Sequence, residues 1–303
     1  MDRLIRREDL TAILPDAVRA TVTRLRSRHG NTVLRVVQDD TRSWIVKLDT
    51  ETTSSRRHKL QTEVWAATLA AKVGVPTARY TLTGTTSGGV AYAVYEFVPG
   101  THLRLTFPNR RSGTLVESLG QQVGLLNRVR LQGFGWPEPV TSRGSHADWP
   151  MFMRDWAGEG LQRLMASGMV PARELRFISE VIEADVSLYA LATGRLVHRD
   201  LQPKNVLVHS GRIVGILDWE NAIIGDPVID LAIFRLSRSC ARWTKHIMDG
   251  YSSNWDTLME RRLVFYSIAC GAIQVAYRVK NHRPAKQLWA RVLALARKYE
   301  RSS

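Results

Sequence analysis

Cysteine is scarce: Cys240 and Cys270 are the only two in 303 residues, and their spacing matches no metal-binding or disulfide framework. Both lie in stretches that otherwise read as helix, so two free buried thiols in a reducing compartment are expected. Long apolar runs are also missing. The greasiest segment, LVFYSIACGAIQVAY, is interrupted by Ser267, Gly271 and Gln274, and the opening MDRLIRREDLTAILPD mixes acids and bases without a sustained apolar stretch. Neither a membrane span nor a secretory signal is readable, and a cytoplasmic location without membrane contact is expected. No internal repeat or low-complexity segment appears, which argues against a solenoid or a disordered chain.

Acidic charge is the other shortage. Lysine and arginine number 43 against 28 aspartates and glutamates, a formal balance of +15. Such an excess attracts anions: nucleotide phosphates, nucleic acid or acidic substrates. The basic residues are dispersed in ones and twos, as in RLIRR, RLRSR, SSRRHK and ARKYER. Without an arginine-rich tail or a basic-aromatic ladder, no specific nucleic-acid partner is expected. At 44% hydrophobic and 23% charged, the chain reads as globular and is long enough for two lobes.

Residues 20 to 48 alternate β-branched and polar side chains and are broken at Gly30-Asn31 and Asp39-Asp40, which predicts a three-stranded antiparallel meander. RRHKLQTEVWAATLAAKVG then places Leu60, Val64, Ala67, Thr68 and Ala71 on one helical face and stops at Gly74 and Pro76. Two further strand signals, ARYTLTG and VAYAVYEFV, end at Pro99-Gly100. Beyond them the periodicity turns helical, with Leu115, Leu119, Val123, Leu126 and Val129 at three- and four-residue steps. The expectation is an α+β protein: an N-terminal lobe, 1-99, built from an antiparallel sheet with one helix, and a mainly α C-terminal lobe, 100-303.

Chemistry concentrates in LVHRDLQPKNVLVHSGRIVGILDWENAIIGDPVIDLA, residues 196 to 232. NVLV and RIVGILDW read as two strands joined by HSGR, which would bring Asn205 and Asp218 to one end of a hairpin. An amide and a carboxylate oxygen there offer hard ligands suited to Mg²⁺ carrying triphosphate oxygens. Asp200, on the preceding loop, could accept a proton from an attacking hydroxyl. The alternative is a set of loop carboxylates satisfied by local turns.

The spacing of His198, Asp200, Asn205 and Asp218 resembles the catalytic loop and metal-binding strand of the eukaryotic-protein-kinase-like superfamily. DWENAIIGDPVIDLA is similar to its aminoglycoside phosphotransferase and choline kinase branch; protein kinases have D-F-G, an activation segment and A-P-E, and this chain lacks them. The resemblance implies a two-lobed protein-kinase-like fold and an ATP-dependent phosphotransferase. Its acceptor would be a small-molecule hydroxyl, as in antibiotic kinases of the hygromycin kinase type; the basic excess from residue 231 onward makes a neutral or anionic hydroxylated antibiotic or metabolite the alternative. The resemblance further implies a nucleotide loop at Gly30, Lys47 on the α- and β-phosphates, and Glu63 orienting Lys47. The main chain of Glu96 and Val98 would hold adenine, Asn205 and Asp218 would bind Mg²⁺, and Asp200 would orient the acceptor.

Plainer readings stand beside these. Gly30-Asn31 also fits a hairpin turn, Lys47 a solvated strand-edge charge, and Glu63 a helix-surface acid. His198 reads as a buried loop-holding residue more than a general base, and Asp230 as a scaffold acid accepting loop amides. Arg199 would pair internally or meet the acceptor. Trp136, Trp149, Trp156, Trp243 and Trp255 fit either a core or a stacking wall. A protein kinase and an inactive nucleotide-binding module are the rival functions.

Overall fold

In the computed structural model, residues 7–14, 20–25, 31–39, 42–49, 54–105 and 110–301 are described. The chain divides into two compact units, the first taking the chain up to Leu103 together with Asn205–Asn221, the second Arg104–Lys204 and the chain from Ala222 onward.

The first unit opens with helix α1 (Arg7–Ile13) and strands β1 (Thr21–Leu25), β2 (Asn31–Val37) and β3 (Ser43–Asp49), the expected meander. Helix α2 (Ser54–Lys72) follows, then β4 (Tyr80–Thr85), β5 (Ala91–Glu96) and the short β6 (Thr101–His102). Five strands form one antiparallel sheet in the order β1-β2-β3-β5-β4. Its central strand β3 is buried from Ile45 to Asp49, so both faces are covered and a polar side chain there must find a partner inside. Val46 and Leu48 join Leu34, Val36, Val94, Leu10 and Ile13 in one apolar cluster. By strand alternation Lys47 points to the opposite face.

Helix α2 departs from its expected face. Leu60, Glu63, Ala66, Ala67 and Ala70 are buried, whereas Thr68 and Ala71 are exposed. The buried stripe is rotated because Glu63, which a hydrophobicity pattern places outside, is drawn inward by polar partners.

The second unit starts with α3 (Arg110–Leu126), whose Leu115, Leu119, Val123 and Leu126 are all buried, as the periodicity requires. Strands β7 (Arg130–Leu131), β8 (Phe134–Glu138) and β9 (Arg143–His146) precede α4 (Trp149–Ser167), α5 (Ala172–Asp185) and β10 (Gly194–Val197). Asp148 caps α4 by accepting from the Met151 amide at 2.8 Å.

The chain then returns to the first unit as the hairpin β11 (Val206–His209) and β12 (Arg212–Ile216), in which β11 also pairs with β6. The sequence reading puts residues 205–221 in the later lobe and its boundary after residue 99; the contacts group this hairpin with the earlier unit and extend that unit to Leu103. Pairing with β6 and the bond from the Ile216 amide to the Pro76 carbonyl, 2.8 Å, account for the difference.

Strand β13 (Ile223–Gly225) re-enters the second unit and completes the sheet β7-β10-β13-β8-β9. Gly225 is required there, because a Cβ would lie 2.3 Å from the Trp149 ring. Helices α6 (Val228–Leu236), α7 (Thr244–Tyr251), α8 (Thr257–Lys280) and α9 (Lys286–Glu300) finish the chain. The middle of α8, from Phe265 to Ala272, is buried without interruption. Cys270 lies within it; Cys240 sits in the turn after α6 rather than in a helix, and both thiols are free and buried. Among the described residues no helix is long and apolar enough to cross a membrane.

Candidate active site

In the first unit Lys47 is the pivot. Its Nζ donates to Glu63 Oε2 at 2.5 Å and to Asp218 Oδ1 at 3.2 Å, and Glu220 Oε2 lies 3.8 Å away. Lys47 and Glu63 are 6% and 2% exposed, so neither is a solvated surface charge. Burial alone would drive the ammonium towards neutrality, but the negative charges of Glu63, Asp218 and Glu220 outweigh it and raise its pKa above the ordinary lysine value. Burial pushes the Glu63 carboxyl up, against the pull of Lys47. A second donor, the Tyr80 hydroxyl, reaches Glu63 Oε1 at 2.6 Å.

Asp218 follows the hairpin end. The Leu217 amide donates to the Asn205 carbonyl at 2.8 Å, continuing the register of Val206 with Ile216, so the chain at Asn205 lies beside the residue preceding Asp218. Asp218 itself has φ 68°, a left-handed conformation that is strained for a residue with a side chain. The next residue holds that bend: the Trp219 indole, 1% exposed, donates to the Ile216 carbonyl at 2.8 Å and to Thr77 Oγ1 at 3.0 Å.

Glu220 is the residue that sequence reasoning missed, although DWE carried the signal. With Glu63 and Asp218 it forms three carboxylates whose oxygens lie within 4.8 Å of one another. Lys47 offsets one negative charge, and the half-exposed Lys59 stands 3.8 Å from Glu220. The donors of this cluster are all oxygens with a negative surplus, a set that fits a hard cation such as Mg²⁺; the Asn205 side chain is buried at the neighbouring hairpin end.

The Phe97 amide donates to the Ser43 carbonyl at 2.8 Å, so in β5 the backbone groups of Glu96 point to the other edge. That edge is one residue past the last register pair of β4, Tyr80 with Tyr95. Val98, half-buried, lies just beyond the strand. Gly30 lies outside the described residues.

In the second unit, Asp200 accepts from Gln202 Nε2 and Lys204 Nζ, both at 2.7 Å, and its side chain is 17% exposed. The loop before it is pinned from below: Asp230, fully buried, accepts from the amides of His198 at 2.8 Å and Arg199 at 2.7 Å. His198 is also fully buried and takes the Asp200 amide on Nδ1 at 3.2 Å, in keeping with a loop-holding residue. Arg199 has φ 64° and its guanidinium lies 4.8 Å from the Trp136 ring and 5.5 Å from Trp156. Trp136 is 40% exposed, whereas Trp149, Trp156 and Trp243 are core.

Comparison with known proteins adds the lineage. Residues 21–263 match the phosphotransferase enzyme family, APH. No curated protein matches the sequence. Among solved structures, a thermostable mutant of aminoglycoside phosphotransferase APH(4)-Ia in ternary complex with ADP and hygromycin B is similar at TM-score 0.72 and 15% identity, covering 97% of this chain and 98% of that one. The GDP and kanamycin complex of APH(2")-IIia gives 0.69 at 16% identity, covering 98% of each chain. A putative fructosamine-3-kinase from Haemophilus somnus 129PT gives 0.69 at 14% identity, covering 96% and 97%. At these identities the likeness is one of fold.

Proposed function

This chain belongs to the phosphotransferase enzyme family, and from that membership we propose that it moves the γ-phosphoryl of ATP to a hydroxyl of a small molecule. The observation that carries the reading is Lys47 held between Glu63 and Asp218, at 2.5 and 3.2 Å. A buried cation fixed on one side by a helix carboxylate is positioned to meet phosphate oxygens, which the negative surplus around it would repel without a counter-charge.

In this reading Lys47 offsets charge on the α- and β-phosphates, Glu63 aims it, and the main chain of Glu96 and Val98 takes adenine. Asn205 and Asp218 hold Mg²⁺, which when bound neutralises charge developing on the triphosphate. Asp200 orients the acceptor hydroxyl and accepts its proton as the oxygen bonds to phosphorus and ADP leaves. Because the transition state is loose, most of the rate comes from placing these groups rather than from covalent chemistry. A cytoplasmic site, where ATP and Mg²⁺ are supplied, goes with this function.

An antibiotic acceptor, with resistance as the outcome, draws support from the hygromycin B and kanamycin complexes of the similar proteins. A second reading, a neutral or anionic hydroxylated metabolite, is favoured by charge. From residue 231 onward, four acidic residues (Asp249, Asp256, Glu260, Glu300) face fourteen lysines and arginines, a poor match to a polycation. The test is ATP consumption with Mg²⁺ alone, then with antibiotics, sugars and amino alcohols, then with a generic basic protein. Stimulation by a small hydroxylated compound is expected; stimulation by the protein alone would replace this reading with a protein kinase.

A further inference from the structure

We propose that the acceptor is an anion, a hydroxylated small molecule bearing a carboxylate or phosphate, and that Arg238, Arg242 and Arg278 hold its charged end. The inference rests on the phosphotransferase reading and narrows its acceptor. A pocket of about 530 Å³ within the second unit is lined by these three arginines together with Gln202 and Gln274, and none of its lining residues is acidic. That volume suits a small metabolite. Its floor is apolar, formed by Ile233 and Leu236 of α6 at 4% and 3% exposure.

Position ties the pocket to the chemistry. Gln202 is part of its wall, and the same side chain donates to Asp200 Oδ1 at 2.7 Å. A molecule seated against the arginines therefore lies one side chain, that of Gln202, from the carboxylate that would take its hydroxyl proton. Gln274 and Arg278 stand four residues apart on α8 and so share a face.

The arginines have no structural task that accounts for their gathering. The carbonyls that end α6 are occupied by Arg291, which donates to Leu236 O at 2.9 Å and Arg235 O at 3.1 Å. Arg235 pairs with Glu260 at 3.5 Å. Arg278 gives one bond to a neutral acceptor, the Pro284 carbonyl at 3.1 Å, and among the described residues no carboxylate pairs with Arg238, Arg242 or Arg278. Three like charges converging on one concave wall repel one another unless an anion is brought in. A polycationic aminoglycoside would meet the same repulsion, which separates this pocket from one built for such drugs.

The test uses the full chain saturated with AMP-PNP and Mg²⁺, so that its nucleotide-phosphate groups are filled. Inorganic phosphate is titrated calorimetrically at constant ionic strength. Saturable phosphate binding is expected, weakened at least about tenfold in Arg242→Gln/Arg278→Gln, with AMP-PNP affinity within about threefold of the parent. Absence of saturable binding, or equal binding by the double variant, overturns the proposal while leaving the phosphotransferase reading intact. Failure to bind AMP-PNP overturns that reading and the proposal with it. With ATP in place of AMP-PNP, ADP release with gluconate, glycerol 3-phosphate, glucose and kanamycin then separates carboxylate from phosphate. Stimulation by kanamycin and by neither anion overturns the proposal as well.

Discussion

Glu63 in the first unit and Asp230 in the second are both carboxylates shut away from solvent, at 2% and 0% exposure, yet they are held by different means. Glu63 is held by charge, with Lys47 at 2.5 Å and the Tyr80 hydroxyl at 2.6 Å. Asp230 is held by two backbone amides, those of His198 and Arg199. The difference separates two jobs. A cation can divide its attraction between its protein partner and an arriving phosphate, so the charged anchor can also bind. Amides committed to a buried carboxylate fix the shape of a loop and nothing more. The charged anchor accordingly sits behind Asp218, and the amide anchor beneath Asp200.

The strongest way to break this comparison is Lys47→Met. It would leave Glu63, Asp218 and Glu220, three carboxylates within 4.8 Å of one another, without the buried cation between them; the half-exposed Lys59 stands 3.8 Å from Glu220. Removing one partner of a buried pair costs about 3–5 kcal/mol. We expect a lowered urea midpoint together with a turnover loss of at least about a hundredfold and weakened nucleotide binding. A variant that unfolds and binds nucleotide as the parent does would show that Glu63 is held by something other than Lys47.

Asp200→Asn should separate catalysis from anchoring. The amide keeps the shape and one oxygen, so it retains one of the bonds from Gln202 and Lys204, both now at 2.7 Å, and cannot accept the proton. Turnover is expected to fall at least about a hundredfold while ATP affinity, read by titration, stays within about threefold. Unchanged turnover would remove Asp200 from its role.

Asp230→Asn sharpens the comparison through pH. Burial pushes the Asp230 carboxyl up to about 6, against the attraction of His198 and the two amides. An unfolded aspartate titrates near about 3.9. Between those values the folded chain keeps a proton that the unfolded chain has released, so the contribution of Asp230 to stability is greatest below about pH 4 and declines by about 3 kcal/mol as the pH rises to about 6. Urea unfolding of the parent minus that of Asp230→Asn should show that decline. Lys47 is shifted above the ordinary lysine value, so its contribution is present below that range and lost only as pH rises through the folded value. The titration of Lys47 itself therefore adds no slope to the stability of the parent between about pH 6 and about pH 9.

The sheet, the hairpin of Asn205 and Asp218 and the amide-accepting role of Asp230 were legible because each rests on local signals: alternation, turn residues, and a fixed spacing within one stretch. The inward turn of Glu63 was not legible from periodicity, which counts a glutamate as outward; only the resemblance placed it beside Lys47, 16 residues earlier. Trp136 and Trp149 look alike in sequence, and burial alone tells the 40% exposed ring from the fully covered one. The arginine pocket was hidden for a different reason. Arg238 and Arg242 follow α6 while Arg278 ends α8, so packing of two helices brings them together, and the sequence carried only the diffuse excess of basic charge.

The smallest expected effect is that of Tyr80→Phe. Burial and the neighbouring charge of Glu63 hold the Tyr80 hydroxyl far above its ordinary pKa, so it acts as a donor throughout the working pH range. Phenylalanine keeps the ring, which packs against Tyr95 at 4.9 Å between centroids, and deletes one bond to Glu63 Oε1. Lys47 still holds Oε2, so the carboxylate remains paired. The loss should be about 1–2 kcal/mol in urea unfolding, with nucleotide affinity within about threefold of the parent. If affinity instead falls as far as in Lys47→Met, aiming of the lysine depends on both oxygens of Glu63 being held. The charged anchor would then be as rigid as the amide anchor, and the distinction between them would rest on charge alone.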